Sequence, residues 1–198
     1  MTTPPGRPVP RRTARERRAL IAFVAISMLI VAGLSLAAWK HWQRTHPGDF
    51  GAEPHHCELV TPETVHRLVP TSYGGREGRG SCSWSAPREE SPTRAGIFLQ
   101  SSVLTEDLAA EDLREERGKT LGWEKTSPED VTAIGDEAFV RSRTENPERP
   151  AAAQVCFRLS NMVVRVTYTR ADTDREAARA GAVDAAREAA DHLRASVR

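Results

Sequence analysis

Residues 19–39, ALIAFVAISMLIVAGLSLAAW, form an unbroken uncharged run, and no other feature constrains this chain as tightly. At about 1.5 Å rise per residue, such a run makes a helix of roughly 30 Å, the hydrocarbon thickness of a bilayer. The sequence therefore predicts a single transmembrane helix bounded by Ala19 and Trp39. Arg7, Arg11, Arg12, Arg15, Arg17 and Arg18 precede it against one acid, Glu16, and the positive-inside bias keeps that end in the cytoplasm. Beyond the run, Trp39 and Trp42 bracket Lys40 and His41, amphipathic rings beside a cation that suit an outer headgroup anchor. The bulk of the chain is then extracytoplasmic, anchored by the lipid bilayer.

Two other fates for the run compete with a permanent anchor. Ser35-Leu36-Ala37 is similar to the small-residue site of a cleaved secretory signal, but a signal core is only roughly 7 to 15 residues long. A lipoprotein needs a cysteine directly after the apolar run, and the first cysteine here is Cys57. Gly33 and Ala37 form a small-xxx-small pair of the kind that lets two spans approach, a spacing that also arises by chance.

Residues 1–18 are rich in proline and arginine with little to bury, which predicts a disordered cytoplasmic tail. Residues 40–56, KHWQRTHPGDFGAEPHH, show no hydrophobic period and read as a juxtamembrane linker. Residues 57–198 are long enough for one domain with a real core. Beyond the tail, 22 basic side chains face 26 acidic ones, so no basic field exists to hold phosphates and nucleic acid is excluded as a partner.

Within the domain, Thr61 and Pro62 open a short helix as N-cap and first helical residue, with Val65, Leu68 and Val69 as its stripe and Pro70 as its stop. Residues 73–80 read as a glycine-rich loop without the spacing of a phosphate or dinucleotide site. Alternation predicts a hairpin of strands over 81–86 and 96–103. A helix over 105–119 carries six acids, read as a solvated face. Short strands are expected over 122–125 and 136–143, the latter with Ala138 and Val140 opposite Phe139. A clearer hairpin places Val155, Phe157 and Leu159 on one face, turns at Ser160-Asn161 with Asn161 suited to a left-handed conformation, and continues through Val164, Val166 and Tyr168. Thr173 to Glu176 reads as a capping box, followed by a helix with the stripe Val183, Ala186, Ala190, Leu193 and Val197, packed on a sheet.

Three cysteines in an oxidising space predict one bridge. Cys82 shares a strand face with Trp84, whereas Cys156 falls on the face opposite Val155 and Phe157, which favours Cys57 with Cys82; Cys82 with Cys156 is the alternative. On the loop-entropy argument, the Cys57–Cys82 closure contributes roughly 3 to 4 kcal/mol. His55-His56-Cys57 lacks the spacing of a metal site and reads as surface histidines. No nucleophile, zincin or phosphate-loop motif is present, so no catalytic residue, cofactor or metal is expected. The function expected is a non-enzymatic external domain that binds an envelope protein, a lipid or a wall component. An extracytoplasmic enzyme whose site residues are scattered in sequence is the alternative.

From Cys57 onward the chain resembles a group of uncharacterised actinobacterial cell-envelope proteins, lipoproteins and single-span membrane proteins that share an extracytoplasmic domain. The residues that carry the resemblance are Cys57-Glu58-Leu59, Cys82-Ser83-Trp84, Gly135-Asp136-Glu137-Ala138-Phe139, Asn161-Met162-Val163-Val164 and the alanine-rich last helix. The resemblance implies an α+β domain with an antiparallel sheet flanked by helices, of the Mog1/PsbP type, and a bridge between the first and second cysteines. It brings no catalytic residue. Many such relatives are anchored by lipid; here the span has to do it.

Overall fold

A computed structural model of the chain describes residues 27–28, 31–38, 40, 48–87, 95–119, 127–142 and 150–197. The expected tail, the anchor residues Ala19, Trp39 and Trp42, and the expected strand over 122–125 lie outside the described residues. The chain divides into two compact units, Met1–Thr45 and His46–Arg198. In the first, Ser27, Met28, 31–38 and Lys40 are helical. Among the described residues no helix is long and apolar enough to cross a membrane.

The second unit is α+β, built on a seven-stranded antiparallel sheet. In chain order come a single 3-10 turn, His56–Glu58, helix α1 (Pro62–Leu68), strands β1 (Arg76–Gly78), β2 (Ser81–Ser85) and β3 (Gly96–Val103), and helix α2 (Glu106–Gly118). Strands β4 (Glu129–Asp130), β5 (Glu137–Ser142), β6 (Ala152–Leu159) and β7 (Met162–Thr169) follow, and helix α3 (Arg175–Ser196) ends the unit. The sheet order is β1-β2-β3-β7-β6-β5-β4, so two meanders join where β3 pairs with β7 over eight residues, from Gly96 opposite Thr169 to Val103 opposite Met162.

Period-two alternation sends side chains to two faces. The first face carries Cys82, Trp84, Ile97, Leu99, Val155, Phe157, Val164 and Val166, and α1 and α3 close over it as the main core. The second is smaller: Phe139, Cys156 and Val163 pack beneath Ala109 and Leu113 of α2. Ala138 and Val140 face the first core and Phe139 the second, as their alternation predicts.

Helix α1 starts as the sequence says, with the Thr61 hydroxyl accepting from Thr64 N and Pro62 in its first turn. Helix α3 starts one residue later than the capping-box reading: Asp174, not Thr173, is the N-cap, and its carboxylate accepts from Ala177 N. Its buried face holds the expected Ala186, Ala190 and Leu193 and is widened by Ala178, Gly181, Ala182, Ala185 and Ala189; Val183 packs at its edge and Val197 is exposed. Small side chains let the helix axis approach the sheet. A Cβ on Gly181 would stand 2.6 Å from the Tyr168 ring, so no larger residue fits there without displacement.

The stretch read as a glycine-rich loop contains β1, which the alternation rule misses because Arg76, Glu77 and Gly78 are all exposed. The stretch read as a linker adds its second half to the domain: Phe50 is buried and His56 lies in the 3-10 turn. Asn161 holds that segment down. Its side-chain Oδ1 accepts from Phe50 N at 2.9 Å, and its Nδ2 donates to Phe50 O at 2.9 Å and to Leu104 O at 3.0 Å. The left-handed residue of the β6–β7 turn is therefore Ser160, with φ of 50°, and Asn161 is a fully buried clamp.

Replacing Asn161 by alanine takes the partner from two buried backbone groups of Phe50 and from the part-buried Leu104 carbonyl, each costing about 1 kcal/mol. Asn161→Ala is expected to lower stability by about 3 kcal/mol in urea titration, with residues 48–56 becoming the first site of limited proteolysis. An unchanged midpoint would show that the segment is held by other contacts.

Candidate functional site

The two cysteines singled out from sequence meet: Cys57 and Cys82 form a disulfide with Cα atoms 5.1 Å apart. It ties the residue after the first buried histidine to the second strand of the sheet. Cys156, the remaining cysteine, is free and buried. Burial pushes its thiol up to about 12, the nearby Arg141 and Glu116 acting in opposite senses, so it is a protonated, unreactive group.

Beside the bridge runs an open groove of about 380 Å³, lined by Cys57, Val60, Val65, Val69, Gly75 and Trp84, with His66 and Ser72 at its rim. One wall is α1, fixed at both ends. Thr61 N donates to Glu188 Oε1 of α3 at 2.9 Å, and the Tyr168 hydroxyl donates to Leu68 O at 2.9 Å. Burial alone would raise the Glu188 carboxyl, but the hydrogen bonds from Thr61 and Thr64 outweigh it and hold it below its ordinary value. The other wall is the Gly74-Gly75 segment. A Cβ on Gly75 would stand 2.8 Å from Cys57 Sγ, 2.8 Å from Trp84 Nε1 and 2.9 Å from Cys82 Sγ, so glycine is required for the chain to lie over the bridge and the indole. A shaped, mostly apolar recess on rigid supports is the usual form of a recognition site.

Two polar clusters that the sequence did not reveal are buried elsewhere. Under α2, Arg141 Nη2 donates to Glu116 Oε1 at 2.6 Å and its Nη1 donates to the carbonyls of Glu116 and Lys119 at the helix C-terminus. Arg165 Nη2 bonds Asp112 Oδ2 at 2.6 Å, and its Nε lies 3.4 Å from Glu116 Oε2. Two of the six acids read as a solvated face thus point at the sheet. Burial would raise the Glu116 carboxyl, yet Lys119, Arg165 and Arg141 together hold it below its ordinary value of 4.5. Every strong donor of Arg141 is engaged by Glu116, Lys119 and Gln154, so the cluster fastens α2 to the sheet.

The second cluster is a serine–histidine contact: His56 Nε2 lies 2.8 Å from Ser101 Oγ. A nucleophile and its base would share that geometry, but each residue is only 3% exposed. His56 is no surface residue, then, and Cys57 beside it is in the bridge, so the His55-His56-Cys57 run brings no ligand set together. Desolvation lowers the His56 pKa, against the raising influence of Glu53 and Glu77. Among the described residues no cluster of three or more His, Cys, Asp or Glu is arranged to hold a metal ion.

Compared with known protein families, with curated proteins and with solved structures, the chain gives no match.

Both clusters give stability a pH dependence with a defined sign. His56 has a folded pKa below 6.5, so the unfolded chain binds the proton more readily and stability falls as pH drops below about 6.5. His56→Gln, which keeps a partner for Ser101, is expected to flatten the urea midpoint between pH 6.5 and 5; an unchanged slope would assign it to other groups. Glu116 is shifted in the same direction, and as a depressed carboxylate its contribution is complete above 4.5 and is lost as pH falls through its folded value. Glu116→Gln takes the carboxylate from the buried Arg141 guanidinium and leaves Arg165 with Asp112 alone, and is expected to cost about 3 kcal/mol at pH 7, with the loss shrinking toward pH 3. A variant as stable as the parent at pH 7 would show the cluster to be energetically neutral.

Proposed function

We propose that this chain is a single-span cell-envelope protein with its N-terminus in the cytoplasm and its C-terminal domain outside, where that domain acts as a non-enzymatic binding module. Its relationship to the actinobacterial envelope proteins, and a fold of the Mog1/PsbP type, belong to the same proposal. The observation that carries it is the Cys57–Cys82 bridge with the groove it walls. A structural disulfide favours an oxidising space over a cytosol kept reduced by thiols, which agrees with the orientation that the arginines before residue 19 dictate. The helical residues Met28, Val31, Leu34 and Leu36 support the anchor, each 62 to 68% exposed on the described part of the apolar run, a surface that suits hydrocarbon better than water.

A binding role suits the rest of the domain. Among the described residues its buried charges are engaged with one another, and the His56–Ser101 contact is buried. The groove by contrast is open, apolar and held between fixed elements. Its partner on this reading is an envelope protein, a lipid or a wall component.

Expression in a bacterial host followed by alkaline carbonate extraction tests the placement. The 21.8 kDa chain is expected to stay with the membrane at full length, and protease added to spheroplasts is expected to remove the domain from outside. Recovery of a soluble product lacking residues 1–37 would replace the anchor with a cleaved signal.

A further inference from the structure

Trp84 brings a buried polar group to the groove beside the bridge. Trp84 is 4% exposed, and its indole N–H, a donor with no acceptor capacity, has no hydrogen-bond partner among the described residues. Buried indole nitrogens usually find a partner. This one is not sealed in the core, where an unsatisfied donor would carry its full desolvation cost; the only sealed side-chain polar atom without a partner among the described residues is Arg158 Nε. It stands at the groove wall, next to Gly75 and the two bridge sulfurs.

The remaining lining decides what kind of acceptor would meet it. None of the ten residues around the groove is Asp, Glu, Lys or Arg. A carboxylate or phosphate would lose its hydration there without gaining a fixed counter-charge, so a neutral acceptor beside an apolar group is the complementary ligand. A peptide supplies that combination in every residue with an apolar side chain, because its backbone carbonyl lies next to it. The groove also leads to a surface that reads backbone. Gly74 and Gly75 run directly into β1, whose three residues are all exposed and which, among the described residues, ends the sheet and pairs with β2 alone. An exposed edge strand is a template for an added strand, with pockets between the added side chains giving specificity.

We propose that the groove and the β1 edge together form a docking site for an extended peptide segment of a partner protein. One large apolar side chain enters between Val65, Val69 and Trp84, a neighbouring carbonyl accepts from Trp84 Nε1–H, and the flanking backbone runs along β1. This rests on the reading of the domain as a binding module and names the chemistry of its partner.

The test uses the full-length chain in nanodiscs, panned against an unbiased seven-residue peptide display library. Selected peptides are measured by fluorescence anisotropy and by the indole ¹⁵N–H resonances of the four tryptophans. The expected result is a consensus centred on one apolar residue, with binding that shifts the Trp84 indole signal. Trp84→Phe keeps the apolar ring and removes the donor, and is expected to weaken binding about tenfold. His66→Trp, an exposed rim position, plugs the groove without touching the core and is expected to weaken it further. Failure to enrich any peptide, or peptides whose binding ignores both variants, overturns the proposal. So does a groove that responds to the neutral acyl ester 1-decanoylglycerol and not to peptides, although that outcome leaves the domain a binding module with a lipid ligand.

Discussion

The pairing of β3 with β7 holds this domain together. On one side of it lies the meander β1-β2-β3 with the bridge, and on the other β4 to β7 with the ion cluster; among the described residues no other strand pairing joins the two. Strand β7 also pairs with β6, and its alternation feeds both faces: Val164, Val166 and Tyr168 enter the main core, while Val163 and Arg165 lie under α2. The helices then have fixed places. The alanine face of α3 and the short α1 close the first face, and α2 covers part of the second, leaving Phe98 on that side 44% exposed.

The short motifs singled out in the sequence each hold a different joint of the domain. Cys57 and Cys82 are the bridge, and Trp84 is packed against it. Gly135 takes a φ of 59° and a Cβ there would stand 2.2 Å from Arg158 O, so the β4–β5 turn can touch the end of β6 only through glycine. Asp136 uses that approach: its backbone N donates to Arg158 O, and its carboxylate accepts from Ser160 N at 2.7 Å, fixing the β6–β7 turn. Asn161 completes the turn by clamping Phe50. Short motifs far apart in sequence therefore converge on the turn and the bridge.

What was legible in the sequence follows the range of the interactions. Alternation located β3, β6 and β7, because one residue in two must face a core; Thr61 and Pro62 marked α1, because a cap is a contact across three residues. The bridge was legible from face parity, with Cys82 beside Trp84 and Cys156 on the other side. Arg141 with Glu116, and His56 with Ser101, were hidden because nothing in a local pattern says which helix covers which strand row. The buried face of α3 was legible in part: Ala186, Ala190 and Leu193 lie on it and Val183 packs at its edge, whereas Ala178, Gly181, Ala182, Ala185 and Ala189 escape a stripe read from larger apolar residues, and Val197 is exposed. Strand β1 has no buried side chain at all, and only its pairing with β2 makes it a strand.

The sheet order also sets a timetable. Cys57, Cys82, β2 and β3 are all present once the chain has reached Val103, so the bridge and the first meander have every residue they need early in synthesis. Strand β3 then waits, one edge bare, until Met162 arrives to sit opposite Val103. During that interval Ile97 and Leu99 have no α3 to cover them, and a bare apolar strand is what draws neighbouring chains into aggregates. An early disulfide shortens the accessible conformations of the waiting half without needing the other. For a domain delivered across a membrane N-terminal end first, the bridge would act as a latch on the first half-built sheet while the second is still being threaded through.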